Sequence, residues 1–88
     1  MTWRVNVHRG AAKQLEAIPP DRRERILDDI RDFTEGPFRG LVKPLKGKSF
    51  KGLYRKVSGR YRIIFEPNYA TRTVEVLAVL LRNEGTYK

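Results

Sequence analysis

The sequence predicts an α+β fold: a small, mainly antiparallel sheet in the order strand, helix, helix, strand, strand, strand, with two N-terminal helices packed on one face and a short C-terminal tail. Three observations predict it. Apolar residues alternate at the start, where Trp3, Val5 and Val7 are separated by Arg4 and Asn6. They then recur at helical spacing as far as Thr34, and after Gly52 they fall into extended runs broken by turn residues. A chain of 88 residues has room for one compact core, burying roughly 60–65% of its unfolded surface, so residues 1–88 are expected to form a single domain.

The alternation from Trp3 to Val7 reads as a strand with one buried face, which Gly10 ends. Ala11, Leu15 and Ile18 give a short first helix. Pro19 and Pro20 stop it, because a residue before proline is pushed out of the helical region. Pro20 can open the next helix, about Pro20 to Thr34, which sets Ile26, Leu27, Ile30 and Phe33 on one stripe and turns Arg22, Arg25, Asp28, Asp29 and Asp32 to water. Acid–base pairs such as Asp21 with Arg25 and Asp28 with Arg31 add roughly 0.2–0.5 kcal/mol each. Gly36-Pro37 terminates this helix, and from there to Gly52 a basic segment punctuated by glycine and proline reads as a long loop. Leu53 to Val57 and Arg60 to Glu66 flank Ser58-Gly59 as a hairpin, since glycine supplies the positive φ of tight hairpin turns. Pro67-Asn68 begins a further turn. Thr73 to Leu81 is a second extended run, apolar on both faces from Leu77 onward, which places it in the middle of the sheet under the helices.

Charge is unevenly spread. The formal net charge is +9, and the thirty residues from Gly36 to Phe65 contain no Asp or Glu but nine cations: Arg39, Lys43, Lys46, Lys48, Lys51, Arg55, Lys56, Arg60 and Arg62. Seven of the ten acids lie in the first 35 residues. A charge run is commonly only a solvated face. Here the separation of the two signs, with Phe50, Tyr54 and Tyr61 inside the basic run, points to a polyanion partner. With no cysteine and a single histidine the chain offers neither disulfides nor the ligand set of a zinc site, so no metal or other cofactor is expected. No apolar run approaches the about 18 residues of a spanning helix, and the expected location is the cytoplasm. His8 has no paired histidine and is read as structural; Glu66, Glu75 and Glu84 are read as surface charges.

The hairpin brings cations together in either of two registers. A two-residue Ser58-Gly59 loop sets Arg55 directly across from Arg62, whereas a three-residue loop including Arg60 makes Lys56 the partner of Arg62. Like charges directly opposite are destabilising by about 0.2–1 kcal/mol, so keeping them calls for an anion between them unless the side chains splay into solvent. Arg82 follows the last strand directly and Tyr87 lies five residues beyond. The Tyr87 ring either covers a sheet edge, or offers a stacking platform for a base or a hydroxyl for proton transfer.

Leu45-Lys46-Gly47, Leu53-Tyr54-Arg55, Gly59-Arg60-Tyr61-Arg62-Ile63-Ile64-Phe65, Val76 to Leu81, Arg82 and Tyr87 together resemble the RelE toxins of bacterial and archaeal type II toxin-antitoxin modules, within the RelE/ParE superfamily. Leu15-Glu16-Ala17-Ile18-Pro19 extends the resemblance over the whole chain. It implies a ribosome-dependent, metal-independent endoribonuclease that cuts messenger RNA in the ribosomal A site by attack of a 2′-hydroxyl on the scissile phosphate. It implies catalytic roles for Arg55, Arg62, Arg82 and Tyr87. The polyanion is then RNA, with Lys43, Lys46, Lys48, Lys51, Lys56 and Arg60 as its contacts. The implied partners are a cognate antitoxin, the ribosome with its mRNA, and operator DNA bound by a hetero-oligomer with the antitoxin; no membrane contact is expected. Active members often carry a second basic residue at positions occupied here by Leu53 and Val57, which leaves the general base open among Lys48, Lys51 and Lys56. Two other readings stay in play: a ParE-like inhibitor of DNA gyrase, and a degenerate toxin that binds only its antitoxin and operator.

Overall fold

The computed structural model describes residues 2–82. The opening alternation forms strand β1 (Arg4–Val7), with Val5 and Val7 packed against the core and Arg4 and Asn6 exposed. Helix α1 (Arg9–Glu16) buries Ala11 and Leu15, and α2 (Pro20–Arg31) buries Ile26 and Ile30. Pro20 occupies the first turn of α2, where its missing N–H is harmless. The second helix ends before Thr34. Asp32–Glu35 tighten into a 3-10 turn that carries Phe33 into the core, and Gly36 leads out at φ 141°, a conformation L side chains rarely adopt.

Four further strands complete the sheet: β2 (Val42–Pro44), β3 (Tyr54–Ser58), β4 (Tyr61–Asn68) and β5 (Thr73–Leu81), in the order β1-β5-β4-β3-β2. The strand β2 corrects the expectation of an unbroken loop from Gly36 to Gly52. It is a three-residue edge strand, antiparallel to β3, and Pro44 suits the edge because it has no N–H to offer a further neighbour. A second 3-10 turn, Lys48–Phe50, lies between β2 and β3. All neighbouring strands are antiparallel except β1 and β5, which run parallel. β5 is interior, flanked by β1 and β4, in keeping with its two apolar faces. The turn expected at Pro67 starts later: Pro67 is buried within β4 opposite Val74, and the Asn68 side chain accepts the N–H groups of Ala70 and Thr71.

The two helices pack on one face of the sheet. Ala11, Leu15, Ile18, Ile26, Ile30 and Phe33 meet the inward row of Tyr61, Ile63 and Phe65 on β4 and Val74, Val76 and Val79 on β5. Phe33 and Phe65 pack at 4.6 Å between ring centroids, their planes tilted by 51°. Val76 and Val79 both point inward because a bulge intervenes: Phe65 pairs with Val76 but Ile64 pairs with Ala78, leaving Leu77 as the extra residue. The Gln14 side-chain oxygen of α1 accepts the Val79 N–H at 2.7 Å beside that bulge. Among the described residues no helix is long and apolar enough to cross a membrane.

Candidate nucleic-acid interface

The β3–β4 hairpin turns on the two residues Gly59-Arg60, a register that differs from both of the expected ones. Ser58 pairs with Tyr61, and Gly59 takes φ 59° at the first central position while Arg60 stays negative, the pattern of a type II′ turn. A Ser58-Gly59 loop would instead ask positive φ of Ser58. Arg62 therefore lies opposite Val57 and Arg55 opposite Ile64, so neither Arg55 nor Lys56 faces Arg62 directly.

Alternation along β3 then sends Lys56 to the helix side. Lys56, an expected RNA contact and candidate base, is 2% exposed. Its Nζ donates to the Asp29 carbonyl at 2.9 Å, lies 3.4 Å from Asp32 Oδ2 and sits 4.7 Å from the centre of the Phe33 ring. Asp29 belongs to the last turn of α2, so the ammonium caps a helix end where the macrodipole is negative. Partial burial pushes the Asp32 carboxyl up, but the Lys56 ammonium, together with Arg39 whose Nε is 3.2 Å from Oδ1, outweighs that and holds it below its ordinary value. Lys56 is thus a structural cation facing the core, withdrawn from any external polyanion.

On the opposite face the sheet gathers Lys43, Arg55 and Arg62. Lys43 stands directly across from Arg55. Arg55 and Arg62 are diagonal neighbours, because Ile64, the partner of Arg55, is two residues along β4 from Arg62; such pairs are about 7–8 Å apart. Lys43 and Arg55 are thus the like charges that stand directly opposite one another, and an anion between them would relieve the repulsion. Leu80 flanks Arg62 on β5. Arg82 is two residues beyond Leu80, and its N–H donates to the Arg60 carbonyl at 2.6 Å, so the ladder continues one step and alternation assigns Arg82 to the face of Leu80 and Arg62. Arg55 and Arg62 are half-buried, whereas Lys43 and Arg82 are exposed. Val57, Ile64, Ala78 and Leu80 supply an apolar floor beside these cations, which lowers the local dielectric and strengthens their pull on an anion. Lys46, Lys48 and Lys51 are exposed between β2 and β3, and Arg60 is exposed at the hairpin turn. Tyr87 and Glu84 lie outside the described residues.

A family profile described as ParE toxin of type II toxin-antitoxin system, parDE, matches residues 5–85 of the chain. The chain belongs to this toxin family. Its RelE relatives refine the placement. The RelE1 protein of Methanocaldococcus jannaschii is 25% identical over 91 residues, covering 100% of this chain and 98% of its own. A chain of the archaeal RelE–RelB complex from Pyrococcus horikoshii OT3 is 29% identical with a TM-score of 0.74, covering 97% of this chain and 100% of that one. A chain of the toxin-antitoxin complex RelBE2 from Mycobacterium tuberculosis shares the fold at a TM-score of 0.83 and 24% identity, with 93% and 100% of the two chains covered. This is a RelE-type toxin of the RelE/ParE superfamily.

In this RelE-type toxin the far end of the open face is acidic. Glu75 on β5 stands opposite Glu66 on β4, accepts a hydrogen bond from Asn6 Nδ2 at 2.8 Å and lies 2.8 Å from His8 Nε2. The bonds to His8 and Asn6 hold the Glu75 carboxyl below its ordinary range. Read from the sequence, His8 is structural and Glu75 a surface charge, with nothing to connect them. Only the parallel pairing of β1 with β5, which sets Asn6 beside Glu75, joins them.

Proposed function

We propose that this RelE-type toxin, acting through one domain of residues 1–88, is a metal-independent endoribonuclease that cuts translated messenger RNA on the ribosome in the cytoplasm. The observation that supports the reading is the register that sets Lys43, Arg55, Arg62 and Arg82 on one face of the sheet. In the reaction the ribose 2′-hydroxyl gives its proton to a general base as its oxygen attacks the adjacent phosphorus, the bond to the 5′-oxygen breaks, and that oxygen takes a proton back from the base or from water, leaving a 2′,3′-cyclic phosphate and a 5′-hydroxyl. Charge gathers on the non-bridging oxygens as five ligands crowd the phosphorus. Arg55 and Arg62 meet that charge with planar forks of donors. Arg82 acts as an electrostatic clamp at the leaving oxygen, since a guanidinium with a pKa above about 12 is a poor acid. Tyr87 stacks on the scissile nucleotide or its neighbour. Lys46, Lys48, Lys51 and Arg60 hold flanking phosphates, and with Lys56 buried, Lys48 and Lys51 remain as candidates for the general base.

Arg62→Ala should relieve growth arrest and abolish cleavage of translated messages while the fold persists. A folded R62A variant of unchanged toxicity overturns the nuclease reading. The similar chain from Methanococcus jannaschii was solved in a RelB–RelE antitoxin-toxin complex, and we infer that an antitoxin silences this chain too, laying an acidic segment on its basic surface. In that hetero-oligomer it would also meet operator DNA. One observation favours a second reading: the matching profile carries the ParE name, and ParE-like toxins inhibit DNA gyrase. A supercoiling assay separates the two, because a nuclease leaves purified gyrase untouched.

A further inference from the structure

Between α2 and the β3–β4 turn lies a pocket of about 180 Å³, lined among the described residues by Arg22, Arg25, Ser58, Gly59, Arg60 and Tyr61. Three arginines line it and no acidic residue does. Asp21, Glu24 and Asp28 share the helix, yet none of them pairs with Arg22 or Arg25, and Arg60 makes no ion pair within the described residues. Arg25 lies over the turn: its Cδ and Nε are each 3.8 Å from the point where a Cβ on Gly59 would stand.

Ser58 is an independent sign of a ligand. It is 2% exposed, and its hydroxyl oxygen has no hydrogen-bond partner among the described residues. A buried polar group left unpaired is costly, and so is the gathering of like charges. An oxyanion that accepts from the hydroxyl and from the guanidinium forks relieves both.

We infer that this pocket holds a backbone phosphate of the RNA, a second anchoring point beyond the cationic face of the sheet. The inference rests on the nuclease reading above. A phosphate fits better than a carboxylate because arginines from α2 and from the hairpin turn, together with the Ser58 hydroxyl, line the one site, a number of donors that suits a tetrahedral anion; one fork already satisfies a planar carboxylate. The pocket also borders the hairpin tip at which the open face ends. Arg60 lines it, and the Arg60 carbonyl holds the backbone of Arg82, so a strand passing Arg62 and Arg82 reaches the pocket by rounding the hairpin tip.

The test compares the full-length chain with R22Q/R25Q and with R62A, binding a short single-stranded RNA across a salt series and inorganic phosphate by amide chemical shifts. Losing one phosphate contact makes the slope of log K against log[salt] shallower by about 0.7 for a single strand. R22Q/R25Q should show that change and lose phosphate-induced shifts at residues 58–61, and S58A should weaken the same shifts. Phosphate binding without any change in the RNA slope marks an adventitious anion site and overturns the inference. So does an unchanged RNA slope accompanied by weaker antitoxin binding, which would make the pocket a carboxylate dock. Parent and R62A keep the two failures apart: a parent that cuts no translated message sinks the nuclease reading, and an R62A that cuts like the parent sinks the role of the sheet face, whereas an R22Q/R25Q with unchanged RNA slope and phosphate shifts sinks the pocket assignment alone.

Discussion

Replacing Lys56 tests whether a cation from the basic run serves the fold instead of the ligand. Lys56→Met keeps most of the aliphatic stem and removes the ammonium, with its bond to the Asp29 carbonyl at 2.9 Å and its place 4.7 Å from the Phe33 ring centre. A hydrogen bond to a charged group is worth about 1.5–3 kcal/mol net. The contact with Asp32 adds little, because that carboxylate is 37% exposed and water screens it. The expected loss is therefore about 2 kcal/mol, a fall in Tm of about 8–16 °C for a domain of this size. Lys56→Ala also removes three buried methylenes at about 0.8 kcal/mol each, plus the cavity they leave, and should cost roughly twice as much. Urea and thermal unfolding read both values. The pH dependence adds a second check. Asp32 has a lowered folded pKa, so its stabilising contribution is present above its unfolded pKa and disappears as pH falls through the folded value; removing Lys56 should shrink that acid-side loss. A K56M variant as stable as the parent would show that the cost of burying the ammonium cancels its bonds. A folded K56M variant with weakened RNA binding would show that the side chain reaches outward after all.

Three further outcomes follow from the same geometry. Arg55→Ala should slow cleavage of translated messages about a hundredfold to a thousandfold with an unchanged urea midpoint, read by primer extension; a loss of stability that accounts for the lost activity would make Arg55 structural. Gly59→Ala must hold an L side chain at φ 59° and should cost about 1–2 kcal/mol, while the space beside Arg25 is ordinary contact; an unchanged urea midpoint would show that the turn relaxes to another type. Glu75 is held below its ordinary pKa by His8 and Asn6, so its contribution is intact above the unfolded pKa and is lost as pH drops through the folded one. Glu75→Gln should flatten the acid side of the stability profile, below the ordinary glutamate pKa, and identical profiles for variant and parent would contradict the pairing.

The elements that could be read in advance are those whose pattern is internal to them. Trp3, Val5 and Val7 alternate whatever they pair with, and Pro19-Pro20 stops a helix without reference to the sheet. The strand β2 has no such pattern, because three residues with one apolar member become a strand only when β3 lends its edge. Hairpin register shows the limit more sharply. Pairing Arg62 with Arg55 or with Val57 differs by a slide of two residues on β3, which leaves every side chain on the same face, so hydrophobic alternation cannot choose; the need for glycine at the first turn position can. Lys56 misleads for a related reason. It lies in the inward row with Tyr54 and Ser58, but charge counting places it at the surface, and the carbonyl that satisfies it is 27 residues away. Segregation of charge along the chain foretold that cations would gather, while their division between faces had to come from register. It also hid Arg22 and Arg25, which stand in the acid-rich helix and reach the basic surface only because Arg25 packs over Gly59. A side chain's sign is thus local information, and what it can bind is decided by the backbone that crosses beneath it.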